Sequence, residues 1–224
     1  MNPLSRTHVL FDLDGTLVDS RKAVAACYAQ VFKERLGMDF PPPGIETGDI
    51  YAMRPVELFA RFAPERVDEL HQAYQDGYPA AAAQWLTVFD GADRLIHGLV
   101  KAGRRPSLVT NKGLARTLID LARAGIDTQW FDAIVAAEDT AERKPHPAPI
   151  LLGLQRAGAD ATDAIYVGDG PQDVLAARAC GMPVIGLTYG FYPAQALAKL
   201  EPDALAHSMD ELAQLLGVSI KGTA

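Results

Sequence analysis

The sequence has only two cysteines, and this absence excludes two classes of structure. Cys27 and Cys180 lie far apart along the 224 residues, and neither has a metal-ligating neighbour at short spacing. A disulfide framework and a cysteine-based metal centre are therefore excluded. We expect both cysteines to be reduced core residues within helices.

Long apolar runs and an excess of basic residues are also missing. No stretch approaches the length that crosses a bilayer, and the start MNPLSRTHVLF lacks the apolar core and cleavage site of a signal peptide. With 28 acidic and 21 basic side chains the net charge is -7, which argues against a nucleic-acid-binding surface. We expect a soluble cytoplasmic protein, a monomer or a homodimer, with neither a membrane nor a nucleic acid as its partner.

Short apolar runs that alternate with helical patterns predict an α/β fold with a parallel sheet and helices on its faces. The predicted strands cover residues 8–13, 105–110, 132–137, 163–169 and 183–188. Between the last four strands, Gly and Pro residues delimit helical segments near 113–124, 147–157 and 171–180.

The interval between the first two predicted strands has a different character. It contains little strand pattern, and apolar residues recur at helical spacing in 21–36, 55–62 and 65–85. We therefore predict a helical domain at 21–88, inserted into a core domain that consists of 1–20 and 89–224.

The run VLFDLDGTLVDS, residues 9–20, places two acids at the end of the first predicted strand. Asp12 and Asp14 are two residues apart, so in an extended segment their side chains point the same way. Gly15 then allows a sharp turn, which leaves both acids at the carboxyl end of the strand. Two acids this close repel each other unless a cation screens them or one stays protonated.

Further polar residues follow the other predicted strands: Thr110, Asn111, Lys144, Asp169 and Asp173. Three of them have a simpler interpretation when taken alone, whereas Asp169 follows the apolar run AIYVG and is harder to dismiss. Thr110 suits a helix cap, Lys144 a solvated lysine, and Asp173 an acid in the first turn of a helix. Because the carboxyl ends of parallel strands share one edge of a sheet, we expect these residues to converge on one volume.

The residue types at this edge suit phosphoryl transfer assisted by Mg²⁺. A carboxylate such as that of Asp12 can attack phosphorus and form an aspartyl-phosphate. Mg²⁺ prefers a few hard oxygen ligands, and those expected here are the carboxylates of Asp12, Asp169 and Asp173 with the backbone carbonyl of Asp14.

The remaining residues have roles in the same chemistry. The side chain of Asp14 would protonate the leaving oxygen and later deprotonate the attacking water. Thr110, Asn111 and Lys144 would bind the phosphoryl group, and the Lys144 ammonium and the Thr110 hydroxyl would stabilise its charge.

Four segments together resemble the signatures of the haloacid dehalogenase superfamily, in its phosphatase branch. They are DLDGTLVDS, LVTN, the KP of RKPHP and GDGPQDV, in the family's order. The C-terminal segment also resembles that of phosphoglycolate phosphatases. The resemblance implies a Rossmann-like core with an inserted helical cap and the site residues named above. One departure is Gly170, where the family often has Ser or Thr.

The function implied is hydrolysis of a small phosphomonoester, with phosphoglycolate as the specific hypothesis. The alternatives within the superfamily are a β-phosphoglucomutase-like mutase, a nucleotidase and a pyrophosphatase. A phosphonatase would need a cap lysine, for which Lys33 is the candidate, but with Asp14 present Lys33 is more simply a surface residue. A non-enzymatic phosphoryl-binding protein is disfavoured because no acid of the motifs is missing.

Substrate choice must come from the cap, since the core residues touch only the phosphoryl group and the metal. Arg54 is the candidate because Pro55 suits the first turn of a helix, which places Arg54 at the junction of loop and helix with its side chain free. A guanidinium is also well shaped for a carboxylate such as that of phosphoglycolate. An exposed arginine near a helix start is the alternative interpretation.

Overall fold

The computed structural model describes residues 4, 6–46, 50–51 and 53–220. The chain forms two compact units. One contains the chain up to Asp19 and again from Val88 onward, and the other is Ser20–Thr87. These boundaries differ by one residue from the domains expected from the sequence. The assignment of the two units as catalytic core and cap stays a prediction.

The first unit is built on a six-stranded sheet in the order β5-β4-β1-β6-β7-β8, in which every adjacent pair is parallel. The predicted α/β fold class is thereby confirmed. The strands are β1 (His8–Phe11), β4 (Arg105–Val109), β5 (Ile134–Val135), β6 (Ala164–Gly168), β7 (Val184–Leu187) and β8 (Ala204–Ala206), while β2 (Val18–Asp19) and β3 (Thr87–Val88) form a separate two-stranded sheet.

The helices in chain order are α1 (Arg21–Val31), α2 (Pro55–Phe62), α3 (Val67–Trp85), α4 (Ala92–Lys101), α5 (Leu114–Arg123), α6 (Ala148–Ala157), α7 (Pro171–Ala179), α8 (Ala194–Ala198) and α9 (Met209–Leu215). A π-helical turn, Phe32–Leu36, extends α1. Short 3₁₀ turns lie at Pro64–Arg66, Thr128–Trp130 and Ala161–Asp163.

The central strands β1 and β6 are buried along their whole length because other strands pair with both of their edges and helices cover the faces of the sheet. Apolar runs of this kind are what made them recognisable in the sequence. Four strands were predicted poorly or not at all. The strand β5 covers only two of the six residues expected, and β8 was missed because its ALA segment is only three residues long. The two-residue strands β2 and β3 were also missed.

The second unit has its own core, which is largely aromatic. Its helices α1 and α2 both pack against α3. The ring of Tyr28 lies 4.6 Å from that of Tyr74 and 5.3 Å from that of Phe40, and Phe59 meets Tyr28 edge-on at 5.7 Å. Aromatic rings bury large areas in such geometries, so α1, α2 and α3 share one compact core.

The two cysteines differ from each other. Cys27 is buried in the second unit and donates to the Tyr74 carbonyl at 3.1 Å. Cys180 is only half-buried, packs against the edge of the core and caps the end of α7, so only its predicted place within the helix was wrong. The residue lies one position beyond the helix, where the chain turns back toward β7. In the described parts of the chain, no helix combines the length and apolarity that a membrane span requires.

Two helix glycines of the first unit offer a matched test of packing. A Cβ on Gly153 would lie 2.8 Å from Cγ2 of Val109, whereas one on Gly98 would have its nearest neighbour at 3.6 Å. We expect Gly98→Ala to stabilise the protein by about 0.5–1 kcal/mol through helix propensity. We expect Gly153→Ala to destabilise it by about 1–3 kcal/mol, because α6 must move away from β4. Urea denaturation measures both, and equal changes would contradict the close packing.

Candidate active site

Polar residues follow three adjacent strands of the first unit, where each strand ends. Asp12 follows β1, Thr110 follows β4, and Asp169 follows β6. Because these strands are parallel and lie in the order β4-β1-β6, their carboxyl ends meet at one edge of the sheet. The backbone continues the pairing beyond β1, since Asp12 N donates to the Val167 carbonyl at 2.9 Å.

Three carboxylates cluster at this edge. Asp12, Asp169 and Asp173 each have an oxygen within 4.8 Å of the others, and all three side chains are buried. Asp173 lies in the first turn of α7, where its Oδ2 accepts from Gly170 N at 3.0 Å. It therefore serves both as a helix-terminal acid, the simpler interpretation of its sequence position, and as a member of the cluster.

The Lys144 ammonium lies within this cluster and is itself buried. Its Nζ donates to Asp173 Oδ1 at 2.8 Å, to the Tyr166 hydroxyl at 2.7 Å and to the Val109 carbonyl at 2.8 Å. Asp12 Oδ1 is 3.0 Å from the same nitrogen. Lys144 is thus a buried residue of the site, and its alternative interpretation as a solvated lysine is wrong.

The electrostatics of the cluster follow from burial and mutual repulsion. Burial raises the pKa of the Asp12 carboxyl to about 6, although Lys144 opposes the shift. Burial, followed by repulsion from Asp173 and Asp12, holds the pKa of Asp169 well above its usual range. Burial lowers the pKa of Lys144, but the attraction of Asp12 and Asp173 outweighs it and raises the pKa overall. One ammonium does not offset three carboxylates.

The cluster fits a divalent cation by a specific criterion. A lysine ammonium has three donors, and those of Lys144 are used by Val109, Tyr166 and Asp173. Asp12 Oδ1 consequently remains buried without a hydrogen-bond partner in the described part of the chain. An anionic oxygen in that state is costly to bury. Three convergent carboxylates that include such an oxygen match the hard-oxygen donor set of Mg²⁺.

Two glycines allow other loops to approach Asp169 closely. Gly15 has φ +79°, and a Cβ there would lie 2.1 Å from Asp169 Oδ2. A Cβ on Gly190 would lie 2.3 Å from Asp169 Cβ, and the next residue, Phe191, donates its N–H to Asp169 Oδ2 at 2.6 Å. The loops after β1 and β7 therefore fix this carboxylate from two sides.

Asp14 lies at the same edge but has a different partner from Asp12. Its side chain is one-quarter exposed, and its Oδ1 accepts from Lys112 Nζ at 2.8 Å. The buried carboxylate of Asp120, on α5, accepts from the same ammonium. The side chain of Asp14 is thus outside the group of three carboxylates, and ligation of a metal by its backbone carbonyl stays a prediction.

Thr110 and Asn111 organise the loop that follows β4. The Thr110 hydroxyl accepts from Lys112 N at 3.2 Å, and Gly113, not Thr110, is the N-cap of α5. The Asn111 amide pairs with the backbone of Lys144 in both directions, with each N–O distance 3.0 Å. Asn111 therefore holds the segment that carries Lys144, and its role in substrate binding stays a prediction.

Arg54 and Lys33 belong to the second unit. Arg54 is the N-cap of α2, with Pro55 in the first turn as predicted. Its side chain is not free, which corrects the expectation, because Nε lies 3.3 Å from Glu57 Oε1. Glu57, the third residue of α2, also accepts a hydrogen bond from the Arg54 backbone N–H at 2.9 Å. Lys33 is exposed and pairs with Asp39, as expected of a surface residue.

Sequence reasoning missed four residues of this site. Tyr166 and the Phe191 amide were hidden because strand and loop patterns do not show which polar groups meet. Lys112 directly follows the Thr-Asn pair, which was a signal of proximity. Asp120 lies one turn from the buried Thr117 and beside the buried Leu121. An acid on the buried face of a helix requires a partner, so this pattern could have identified it.

Comparisons with known proteins identify the family of the chain. The haloacid dehalogenase-like hydrolase family matches residues 9–187, which confirms the resemblance. The chain is 30% identical over 219 residues to the pyrophosphatase PpaX of Bacillus velezensis, covering 95% of this chain and 97% of the relative. It is 34% identical over 194 residues to a phosphoglycolate phosphatase of Xanthomonas campestris, covering 82% and 83%.

A solved structure supports the same relation. CbbY of Rhodobacter sphaeroides, in complex with xylulose-(1,5)bisphosphate, has a TM-score of 0.79 and 26% identity, covering 91% of this chain and 94% of that chain.

The Asn111 amide yields a prediction about stability. Asn111→Ala removes both bonds to the Lys144 backbone, and Asn111→Asp sets a carboxylate against the Lys144 carbonyl. We expect each variant to lower the free energy of unfolding by about 1–3 kcal/mol, because polar groups of a half-buried pair lose their partners. Denaturant titration measures this, with the exposed Gln129→Ala as control. Wild-type stability in both variants would exclude Asn111 as the link between the two loops.

Proposed function

The chain belongs to the haloacid dehalogenase-like hydrolases, and within that family we propose that it is a Mg²⁺-dependent phosphatase acting through an aspartyl-phosphate intermediate. The proposed substrate is a small phosphorylated metabolite, with 2-phosphoglycolate as the specific candidate, and the proposed location is the cytoplasm. The observation that carries the proposal is the buried Asp12 carboxylate beside Lys144, with an oxygen that no hydrogen bond satisfies.

Asp12 is the proposed nucleophile. Its carboxylate attacks phosphorus, a bond forms between the two, and the bond from phosphorus to the leaving oxygen breaks. Lys144, 3.0 Å from Asp12, reduces the repulsion between the carboxylate and the phosphoryl dianion. The Thr110 hydroxyl and the Lys144 ammonium offset charge on the phosphoryl oxygens. Attack by a carboxylate divides one difficult hydrolysis into two easier steps.

Asp14 is the proposed acid and base. It gives its proton to the leaving oxygen as the first bond breaks, so an alcohol departs. Water then attacks phosphorus, passes a proton to Asp14, and the bond between Asp12 and phosphorus breaks. The sum is a phosphomonoester and water converted to an alcohol and inorganic phosphate, with Asp12 and Asp14 restored.

The metal proposed here would be held by Asp12, Asp169 and Asp173, together with the carbonyl of Asp14. When bound, Mg²⁺ supplies positive charge that screens the carboxylates and the phosphoryl oxygens. Within the protein, Phe191 N–H and the close approach of Gly15 and Gly190 hold Asp169 in place for that role.

The names of the relatives support two substrate classes. The name of the phosphoglycolate phosphatase supports a phosphomonoester as the substrate, and the name of the pyrophosphatase PpaX supports pyrophosphate. A panel of 2-phosphoglycolate, pyrophosphate, a nucleoside monophosphate and glucose 1-phosphate separates these and the mutase alternative. We expect phosphate release from a phosphomonoester with Mg²⁺ and none with excess chelator. Ca²⁺ should substitute poorly because its larger, flexible shell misplaces the nucleophile.

Asp12→Asn tests the nucleophile. The amide has no anionic oxygen, so we expect kcat to fall by about 10³-fold or more while the fold is retained. Phosphate release measures the first effect and circular dichroism the second. The control is Asp210→Asn, which changes an exposed acid in the first turn of α9. A near-normal kcat in Asp12→Asn would refute the covalent mechanism.

Arg54 is the proposed determinant for an anionic leaving group. Its pair with Glu57 is 40% exposed on the arginine side, and an exposed pair is worth little, so a substrate carboxylate can replace it. We expect Arg54→Ala to raise KM for 2-phosphoglycolate about tenfold and to leave KM for p-nitrophenyl phosphate nearly unchanged. Arg61→Ala, an exposed arginine of the same helix, is the control. Equal effects on both substrates would remove Arg54 from recognition.

A further inference from the structure

A second buried lysine lies at this edge of the sheet, and the mechanism above gives it no role. The Lys112 side chain is 2% exposed, and its ammonium lies between two carboxylates. One is Asp14 Oδ1 at 2.8 Å, from the loop after β1. The other is Asp120, which is fully buried on α5.

The position of Lys112 follows from the local structure. It is the third residue after β4, and its backbone N–H donates to the Thr110 hydroxyl at 3.2 Å. Asp120 lies almost two turns into α5, and its carboxylate accepts from the same ammonium as Asp14. The lysine therefore joins an element that packs on the sheet to the loop that carries Asp14.

A buried ammonium with two buried or half-buried acids is an expensive way to stabilise a fold. Each ion loses its hydration, and apolar side chains of similar volume often do as well. Burial lowers the pKa of Lys112, but Asp14 and Asp120 raise it overall, so the charge is retained. What the arrangement provides is a fixed direction, because an ion pair with two anchors restricts the rotation of the Asp14 carboxyl group.

We propose that Lys112, anchored by Asp120, is a positioning residue that orients the Asp14 carboxyl group for proton transfer to the leaving oxygen. The inference rests on the proposed function, and it assigns separate lysine partners to Asp12 and Asp14. Lys144 contacts Asp12 and Lys112 contacts Asp14. Loss of Lys112 then affects the proton-transfer step more than attack on phosphorus.

Two substrates of the same charge and nearly the same shape distinguish this role from a structural one. Phenyl phosphate needs a proton on its leaving oxygen, whereas p-nitrophenolate leaves without one. The value of kcat/KM reports formation of the aspartyl-phosphate, the step in which the leaving group departs. We expect Lys112→Met to lower kcat/KM about 100-fold for phenyl phosphate and about tenfold or less for p-nitrophenyl phosphate. A folding or binding defect would lower both equally.

Lys112→Met removes the Lys112 ammonium from the buried Asp120 carboxylate, so a second variant is needed in case the first does not fold. Lys112→Gln combined with Asp120→Asn replaces the charges by two amides that can bond to each other. We expect the same selective loss on phenyl phosphate. Lys101→Met, at the exposed end of α4, is the matched control and should leave kcat/KM unchanged for both esters.

The outcomes separate the inference from the function on which it rests. Equal losses on the two esters, or full activity of the double variant on phenyl phosphate, overturn the role of Lys112 and leave the phosphatase intact. If the wild-type protein releases no phosphate from any ester with Mg²⁺, both are overturned. A selective loss in either variant supports the positioning role.

Discussion

The arrangement at the edge of the sheet depends on one interaction, the contact of the Lys144 ammonium with buried carboxylates. Three acids that converge within 4.8 Å would repel one another strongly in a medium from which water is excluded. Lys144 offsets part of this charge, and its ammonium is held by hydrogen bonds to the Tyr166 hydroxyl on β6 and the Val109 carbonyl on β4. The remaining negative charge matches the divalent cation that we propose for this site.

The carboxylates of Asp12 and Asp14 differ because they contact different lysines. Asp12 is buried beside Lys144, and Asp14 is partly exposed beside Lys112. Two residues apart in sequence, the carboxylates thus have different surroundings. This difference fits the proposed roles, attack on phosphorus by Asp12 and proton transfer by Asp14, since each role needs its own charge environment.

Glycine explains how several loops meet at one carboxylate. Asp169 is approached by Gly15 and Gly190 at distances that no Cβ would tolerate. The loops that carry these glycines come from opposite ends of the first unit's sequence. A side chain at either position would displace Asp169, so the shape of the site depends on these two glycines as well as on the charged residues.

Several strands, the edge of the sheet that carries the candidate site and the helical second unit could be predicted from the sequence alone. Apolar runs predicted β1, β4, β6 and β7 because strands buried on both faces must be apolar throughout, and acids placed just after them predicted the edge where the site lies. The helical second unit followed from periodicity. The order of the strands did not, because parallel neighbours come from distant parts of the chain.

Tertiary structure alone decided the partners of each charge. Lys112 and Asp120 were visible as residues, but only folding brings the loop after β4 and the helix α5 to Asp14. The Phe191 amide is a backbone group with no sequence signature at all. Local patterns report which residues are buried, whereas the geometry of a site arises when distant segments meet. That is why the sequence located this site, and the three-dimensional structure had to reveal how its charges are paired.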